Sequence, residues 1–232
     1  MPEGDPRQPA HGRPHAGVHA GIGAVLHAGA RYYDLVAGLL LRGRERAFRE
    51  RLVDLARLAP GERVLDIGCG TGSLALAARR RVGDAGAVHG IDASPEMIAV
   101  ARRKARAAGV DVHFEQAAAQ ALPYPGAHVD AVLSTLMLHH LPRPARREAL
   151  GEVRRVLAPG GRLLVVDFAA PAARRTGPLA RLHRHGHVDA HDVLALLTDA
   201  GFDVVERGAV GVRDLHFALA KAPNATAPGR GP

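Results

Sequence analysis

The segment Val64-Leu65-Asp66-Ile67-Gly68-Cys69-Gly70-Thr71-Gly72 joins an apolar run to three alternating glycines, and an amphipathic stretch follows from Ser73. Glycines let a backbone turn tightly and approach a ligand, and the start of the next helix offers unpaired N–H groups. The spacing G-x-G-x-G differs from the G-x-G-x-x-G of nicotinamide dinucleotide sites. The segment therefore predicts a strand, a ligand-binding loop and a helix, in this order.

Apolar and amphipathic stretches continue to alternate downstream of this segment. Strands are predicted at 63–67, 87–92, 111–115, 129–135 and 161–168, with helices at 73–81, 95–108 and 144–157. Strands that alternate with helices indicate an α/β fold, in which a parallel sheet is covered on both faces and the crossovers are right-handed. After a helix near 189–200, strands at 202–207 and 214–220 are separated by a short loop, so we expect this last pair to be antiparallel.

The composition supports one globular core. The chain has 232 residues, of which 47% are hydrophobic and 23% charged, which argues against disorder and fibrous architecture. Cys69 is the single cysteine, so an internal disulfide and a structural zinc site are excluded, and a reducing cytoplasm is the expected location. The longest apolar stretch, near Leu35 to Leu41, is far below the roughly 20 residues that span a bilayer. The polar, Pro/Gly-rich start is unlike a signal peptide.

The formal net charge of +8 raises the question of a nucleic-acid partner. The arginines are scattered over all the helical segments, as on solvated helix faces, and aromatic residues make up only 3% of the chain. Few aromatic platforms are thus present on which bases could stack. Nucleic acid is therefore not expected as a partner.

A second polar element follows the next predicted strand. Gly90-Ile91-Asp92 ends that strand, and Asp92 lies twenty positions beyond Gly72. A carboxylate at this place can accept hydrogen bonds from both hydroxyls of a ribose. The competing role, capping of the next helix, is already served by Ser94 ahead of Pro95.

Four motifs in order resemble those of class I S-adenosylmethionine-dependent methyltransferases: VLDIGCGTG, GIDASPEMIAVARRKA, ALPYP followed by HVDAVLSTLMLHHL, and EVRRVLAPGGRLLVVDF. The match covers roughly residues 60 to 168. Within this family, the sequence is most similar to the small-molecule enzymes that resemble ubiquinone/menaquinone C-methyltransferases and phospholipid N-methyltransferases. The resemblance implies a Rossmann-like, seven-stranded sheet, mostly parallel with an antiparallel last strand, helices on both faces and an N-terminal helical lid.

The resemblance also divides the chain. Apolar positions from Tyr32 to Leu58 recur at helical spacing with a break at Gly43, which predicts two helices; Tyr33-Asp34 resembles the family's lid. The ends have no clean period and are expected to be flexible tails. The expected parts are a tail at 1–28, a single domain at 29–221 and a tail at 222–232. Within the domain, 29–59 form the lid, 60–168 the cofactor-binding core, and 169–221 the substrate-side segment and final strands.

Carried over by position, the resemblance assigns S-adenosylmethionine to a defined set of residues. The loop under its methionyl part contains Gly68, Cys69, Gly70 and Gly72, with Asp66 helping to orient it; Asp92 holds the ribose hydroxyls; Ala93, Met97 and Ala118 lie near the adenine; and Ser134 completes the set. One position departs from the pattern, because members often have an acidic residue that accepts from the adenine amino group where this chain reads Ala117-Ala118-Ala119. Either the contact is missing or Gln116 or Gln120 replaces it.

Methyl transfer from a sulfonium needs positioning and exclusion of water more than a catalytic side chain. A general base matters only if the acceptor arrives protonated. The candidates are His139 and His140, which follow the fourth strand, and Tyr32 or Tyr33 of the lid. The alternatives are structural: the histidines could anchor a loop, and Tyr33 could pack the lid on the domain.

Two groups of histidines raise the question of a metal-binding site. His11, His15 and His19 are spaced four apart, and His183, His185, His187 and His191 crowd one segment. Glycines and a proline argue against a helix in the first group, and the second has no consistent Cys, Asp or Glu partner. No metal is therefore expected, and His183 to His187 could instead touch the acceptor.

The expected function is thus methyl transfer to a small-molecule acceptor, quinone-like or a secondary metabolite, by in-line displacement. The alternative is a phospholipid N-methyltransferase at the membrane surface, because the Tyr32–Leu58 segment mixes apolar residues with arginines, as interfacial helices do. This alternative makes peripheral membrane contact an open expectation. A nucleic-acid methyltransferase lacks its Asn/Asp-Pro-Pro-aromatic signature here, and an inactive nucleotide-binding module is supported only by the departure at Ala118.

Overall fold

The computed structural model describes residues 44–168, 190–212 and 215–223. The helices are α1 (Glu45–Leu55), α2 (Ser73–Val82), α3 (Pro95–Ala108), α4 (Arg143–Val156) and α5 (Ala190–Asp199), with a 3-10 turn at Leu138–His140. The strands are β1 (Arg63–Ile67), β2 (Ala87–Asp92), β3 (His113–Gln116), β4 (Val129–Thr135), β5 (Leu157–Phe168), β6 (Asp203–Ala209) and β7 (Leu215–Lys221).

The seven strands form one sheet in the order β3-β2-β1-β4-β5-β7-β6. The first five are parallel, whereas β7 runs antiparallel to both β5 and β6. This confirms the predicted fold class. The strand order reverses between β1 and β4, and ligands of open α/β sheets bind in the crevice outside the carboxyl ends of the strands at such a point.

Alternate residues of the central strands enter two separate cores. Val64 belongs to the core that also contains residues of α1, α2 and α3, whereas its neighbour Leu65 belongs to the core under α4 and α5. Both side chains are fully buried. Helices thus cover both faces of the sheet, which leaves the carboxyl edge of the strands as the place for a ligand.

Helix α3 shows how local signals fix an element. Ser94 is its N-cap and accepts a hydrogen bond at 3.2 Å from the N–H of Met97, Pro95 occupies the first turn, and Gly109 ends the helix with φ 61°. These are the residues that favour helix ends, and the predicted bounds of α3 are confirmed.

Four strands differ from their predicted bounds. Strand β6 begins one residue and ends two residues later than predicted, and β7 is shifted by one residue. In the other two strands, β5 and β3, pairing explains the difference. Strand β5 begins at Leu157 rather than at 161, since Leu157 pairs with Val129 of β4 ahead of a register shift. Strand β3 begins at His113, the first residue that pairs with β2, and ends at Gln116, opposite Asp92.

Helix α1 confirms the second of the two predicted upstream helices; the first, and the lid around Tyr33, lie outside the described residues. Leu52 and Val53 of α1 are buried in the core under α1, α2 and α3. This apolar face is therefore used inside the domain. No helix in the described ranges is long and apolar enough to cross a bilayer.

Candidate functional site

The glycine loop, residues 68–72, begins where β1 ends. Gly68, Gly70 and Gly72 all have positive φ, at 66°, 53° and 79°, a region that L-residues with side chains rarely adopt. The N–H of Cys69 donates to the carbonyl oxygen of Ile91 at 2.9 Å, and the N–H of Gly70 donates to Oδ2 of Asp92 at 2.9 Å. The loop is therefore tied to the end of β2.

Gly68 and Gly72 have a further reason to be glycine. A Cβ at Gly72 would lie 2.6 Å from Cζ of Phe114 and 2.9 Å from Cβ of Ala101, and one at Gly68 would overlap the side chain of Met137. The chain at Gly72 therefore packs closely on α3 and β3. The loop glycines serve the fold as well as the expected ligand.

Asp66 lies beneath this loop and is only 2% exposed. It hydrogen-bonds the backbone N–H of Ala75 in the first turn of α2, so it acts as a cap supplied by β1. Burial first, and then the charge of Asp92, raise the pKa of Asp66 to about 8. From this position Asp66 would act on the expected cofactor indirectly, because it supports the loop that faces the cofactor.

Asp92 stands half-buried at the carboxyl end of β2. Its Oδ2 accepts from Gly70 and its Oδ1 accepts at 2.9 Å from the N–H of Ser94. Burial raises the pKa of Asp92, while these two hydrogen bonds lower it. Each carboxylate oxygen keeps a further lone pair, so a ribose could still be bound.

The expected adenine edge lies next to Asp92. Gln116 pairs in register with Asp92, the N–H of Ala117 donates to the carbonyl oxygen of Asp92 at 3.1 Å, and Nε2 of Gln116 donates to the carbonyl oxygen of Ala93 at 3.1 Å. Met97 is buried in the first turn of α3, and Ala118 is half-buried. The fold therefore brings Ala93 and the 116–118 segment together at one edge.

Unpartnered polar atoms mark the same crevice. Within the described residues, four buried side-chain atoms have no hydrogen-bond partner: Nδ1 of His89, in the middle of β2, and three others, Oδ2 of Asp66, Oγ of Ser134 and Oγ1 of Thr135. Buried polar atoms are almost always paired in native proteins, and these three stand at the carboxyl ends of β1 and β4. The residues present thus fit a polar cofactor in the crevice.

Both predicted histidines lie on the 3-10 turn after β4. Nδ1 of His139 is 2.7 Å from Oδ1 of Asp167, and the backbone N–H of His139 donates to Oδ2 of Asp167 at 3.1 Å. The ring of His140 contacts that of His139, with centroids 3.9 Å apart and the ring planes tilted by 43°. Desolvation first, and the neighbouring His139 second, lower the pKa of His140.

Three residues of the site were not singled out by the sequence. Asp167, only 4% exposed, ends β5 and pairs with His139. Arg146, also 4% exposed, donates from Nε to the carbonyl oxygen of Leu138 at 2.9 Å. Lys104 of α3 donates to Oγ1 of Thr71 at 2.8 Å, which ties the glycine loop to a second helix. The contacts of Lys104 and Asp167 join residues 33 and 28 positions apart, and that of Arg146 joins residues eight positions apart. No repeating pattern in the sequence signals them.

Within the described residues no group of three or more His, Cys, Asp or Glu side chains could hold a metal ion. The histidines at 11–19 and those at 183–187 lie outside the described residues, as does Tyr33. Cys69 is buried, and desolvation raises its pKa, which makes its thiol unreactive.

A family model described as "Methyltransferase domain" matches residues 64–161. A demethylmenaquinone methyltransferase of Thermus thermophilus is 44% identical over 151 residues, which are 65% of this chain and 67% of that protein. A ubiquinone/menaquinone biosynthesis C-methyltransferase of Vibrio cholerae is 36% identical over 164 residues, 70% of this chain and 61% of that protein. This chain thus spans about three fifths to two thirds of these relatives.

A solved structure of a methyltransferase resembles this chain in its three-dimensional fold. An S-adenosylmethionine-dependent methyltransferase from Aquifex aeolicus superimposes with a TM-score of 0.65 at 26% identity, over 75% of this chain and 89% of that one. The matched region includes the glycine loop, Asp92 and the turn that carries His139, since the family model spans all three.

Proposed function

This chain belongs to the class I S-adenosylmethionine-dependent methyltransferases, in the group of the ubiquinone/menaquinone C-methyltransferases, and we propose that it methylates a ring carbon of a reduced quinone. The cofactor is S-adenosylmethionine. The observation that carries the acceptor is the relationship to quinone methyltransferases, which reaches 44% identity over 151 residues. The relatives give no support to phospholipid N-methylation, and the buried apolar face of α1 removes half of the segment on which that alternative rested.

The chain's own residues bind the cofactor in the following way. Asp92 accepts from the ribose hydroxyls while it braces Gly70, and the loop at 68–72 faces the methionyl part. Ala93, Met97 and Ala118 border the adenine, and Ser134 offers a buried hydroxyl from β4. When bound, S-adenosylmethionine supplies an electrophilic methyl group on a sulfonium.

The turn after β4 stands beside this crevice and is the proposed acceptor side, together with the residues that follow β5 in the sequence. Holding an acceptor carbon in line with the methyl group, away from water, can supply much of the acceleration. A general base is needed in addition if the acceptor carries a proton that must leave. The proposed lid around Tyr33 and the domain division remain predictions.

The test uses the full chain with S-adenosylmethionine labelled in its methyl group and chemically reduced demethylmenaquinone as the acceptor. Label in the quinone ring, with S-adenosylhomocysteine as the second product, is the expected result. Asp92→Ala is the matched variant and should lose transfer together with cofactor binding. If the chain binds S-adenosylmethionine in calorimetry but labels neither the reduced nor the oxidised quinone, the acceptor is wrong and the cofactor assignment stands.

The cellular location of the protein and its contacts with partners other than the acceptor remain predictions. A buried free thiol at Cys69 suits a reducing compartment, which supports the cytoplasm. The apolar side of α1 is packed inside the domain, so contact with a membrane surface would have to use other residues. Sedimentation with vesicles would test that contact directly.

A further inference from the structure

We propose that His139 is the general base of this site and that Asp167 positions it, so that the acceptor is an aromatic ring bearing an ionisable hydroxyl. This inference rests on the proposed methyl transfer and restricts the class of acceptor. A reduced quinone belongs to this acceptor class, whereas an amine or an alkene does not. The proposal also decides between the two adjacent histidines.

Asp167 is surrounded by donors. Its Oδ1 accepts from the backbone N–H of Phe168 at 2.9 Å and contacts Nδ1 of His139 at 2.7 Å, while its Oδ2 accepts from the backbone N–H of His139 at 3.1 Å. Two backbone donors favour the ionised carboxylate. An ionised carboxylate can only accept, so Nδ1 of His139 carries the proton.

A proton on Nδ1 leaves Nε2 of the neutral ring as an acceptor. The carboxylate thus selects the tautomer whose free nitrogen can remove a proton, and it stabilises the imidazolium that forms. The ring is further held by two neighbouring rings: Phe168 lies edge-on with centroids 5.3 Å apart, and His140 lies at a tilt with centroids 3.9 Å apart. The His139 side chain is 18% exposed, so it remains open to a small molecule.

The turn that carries His139 is anchored from several directions. Leu136 has a positive φ of 54° and its N–H donates to the carbonyl oxygen of Val166 at 2.8 Å. The buried Arg146 of α4 holds the carbonyl oxygen of Leu138. A non-glycine residue with positive φ persists only where its surroundings hold it, so the position of His139 is preset.

The same turn touches the cofactor loop. Met137, two residues before His139, covers Gly68 so closely that a Cβ there would overlap its side chain. His139 is therefore on the segment that links the methionyl side of the cofactor site to the end of β5. This is where a base must stand to act on an acceptor that faces the methyl group.

The proposed reaction begins at the acceptor hydroxyl and ends with one proton released to water. The acceptor O–H bond breaks and its proton goes to Nε2 of His139, while the electron pair moves into the ring. A ring carbon forms a bond to the methyl group as the sulfur–methyl bond breaks, which leaves S-adenosylhomocysteine. The methylated carbon then loses its own proton to water, the ring regains aromaticity, and the imidazolium returns its proton to the oxygen.

The test compares His139→Gln, Asp167→Asn and His140→Gln in the full chain, with reduced demethylmenaquinone as acceptor. We expect His139→Gln to lower kcat about 100- to 10,000-fold near neutral pH and to leave the Kd of S-adenosylmethionine unchanged. Because hydroxide can ionise the acceptor without a base, this deficit should shrink as pH rises. Asp167→Asn should lower kcat about 10- to 100-fold with the same alkaline recovery. The exposed His113→Gln is the matched control and should behave like wild type.

A second acceptor keeps the proposal falsifiable even if Asp167→Asn folds poorly. A partly fluorinated hydroquinone keeps an unsubstituted ring carbon for the methyl group, and its hydroxyls ionise at lower pH than those of the unfluorinated ring. His139→Gln should therefore show a smaller deficit with this acceptor than with reduced demethylmenaquinone. The proposal is overturned if His139→Gln keeps its kcat, if His140→Gln shows the larger loss, or if the deficit is the same at all pH values and for both acceptors. Absence of transfer by the wild-type chain would instead contradict the proposed function.

Discussion

The carboxylate of Asp92 accepts a hydrogen bond at 2.9 Å from the backbone N–H of Gly70, across 22 positions of sequence. One side chain thus joins the end of β2 to the middle of the glycine loop. A ribose bound by Asp92 would therefore also stabilise the loop that faces the methionyl part of the cofactor. Recognition of the two parts is coupled through this contact.

Asp92→Ala should weaken S-adenosylmethionine binding at least tenfold. The variant loses the proposed acceptor for two hydroxyls, and a hydrogen bond to a charged group is worth about 1.5–3 kcal/mol. It also releases Gly70. Isothermal titration measures the change, with the exposed Asp203→Ala as control. An Asp92→Ala protein with wild-type affinity would show that Asp92 braces the loop without contacting the cofactor.

Elements fixed by local signals could be predicted from the sequence to the residue. Strands β1, β2 and β4 are apolar runs of the right length, and α3 carries its own cap at Ser94 and its own stop at Gly109. The place of Asp92 at the end of β2 could be predicted for the same reason, and its role toward the ribose remains a prediction.

Features that depend on distant pairing could not be predicted in this way. The start of β5 at Leu157 is set by Val129 on the neighbouring strand. The contact between His139 and Asp167 spans 28 positions, so the sequence offered two adjacent histidines and no means of choosing between them. Sheet register, which places the ends of β4 and β5 side by side, supplies the missing partner.

Gly70→Val should abolish methyl transfer before it unfolds the domain. Gly70 has a φ of 53°, which a β-branched residue adopts only under strain, and the added side chain would stand where the cofactor approaches. Cofactor affinity by titration and fold by circular dichroism are the two readouts.

Gly83→Val is the matched control for Gly70→Val, because Gly83 also has positive φ and a Cβ there meets nothing within 4 Å. It should carry backbone strain of its own and keep full affinity. If Gly70→Val binds the cofactor as wild type does, the loop does not contact the cofactor at this position.

Asp66 should make the ligand-free protein less stable as pH rises. Burial raises its pKa to about 8, against about 3.9 when unfolded, so the folded state holds the extra proton between these values. The free energy of unfolding therefore falls with pH in that window, by up to about 1.4 kcal/mol per pH unit from this group alone.

Asp66→Asn keeps an acceptor for the N–H of Ala75 and cannot ionise, so its stability should decline less between pH 5 and pH 8. Urea unfolding across this range provides the comparison, and parallel curves for the two proteins would refute the prediction.

Ala118→Asp should tighten S-adenosylmethionine binding severalfold. Relatives of this family often have an acidic residue at the adenine edge where this chain has Ala118, and a new carboxylate there could accept from the adenine amino group. A charge-assisted bond of about 1.5–3 kcal/mol, partly offset by desolvation of the carboxylate, gives a modest gain. Gln116 is the competing acceptor: its Nε2 donates to the carbonyl oxygen of Ala93, which holds the amide at this edge and leaves Oε1 to accept from the adenine amino group. If Gln116 has this role, Gln116→Ala should weaken binding and Ala118→Asp should bring no gain. Titrating Ala118→Asp, Gln116→Ala and Gln120→Ala against S-adenosylmethionine and S-adenosylhomocysteine separates these roles, because both ligands carry the same adenine. If Ala118→Asp leaves both affinities unchanged while neither glutamine variant lowers them, the adenine does not lie beside residues 116–120.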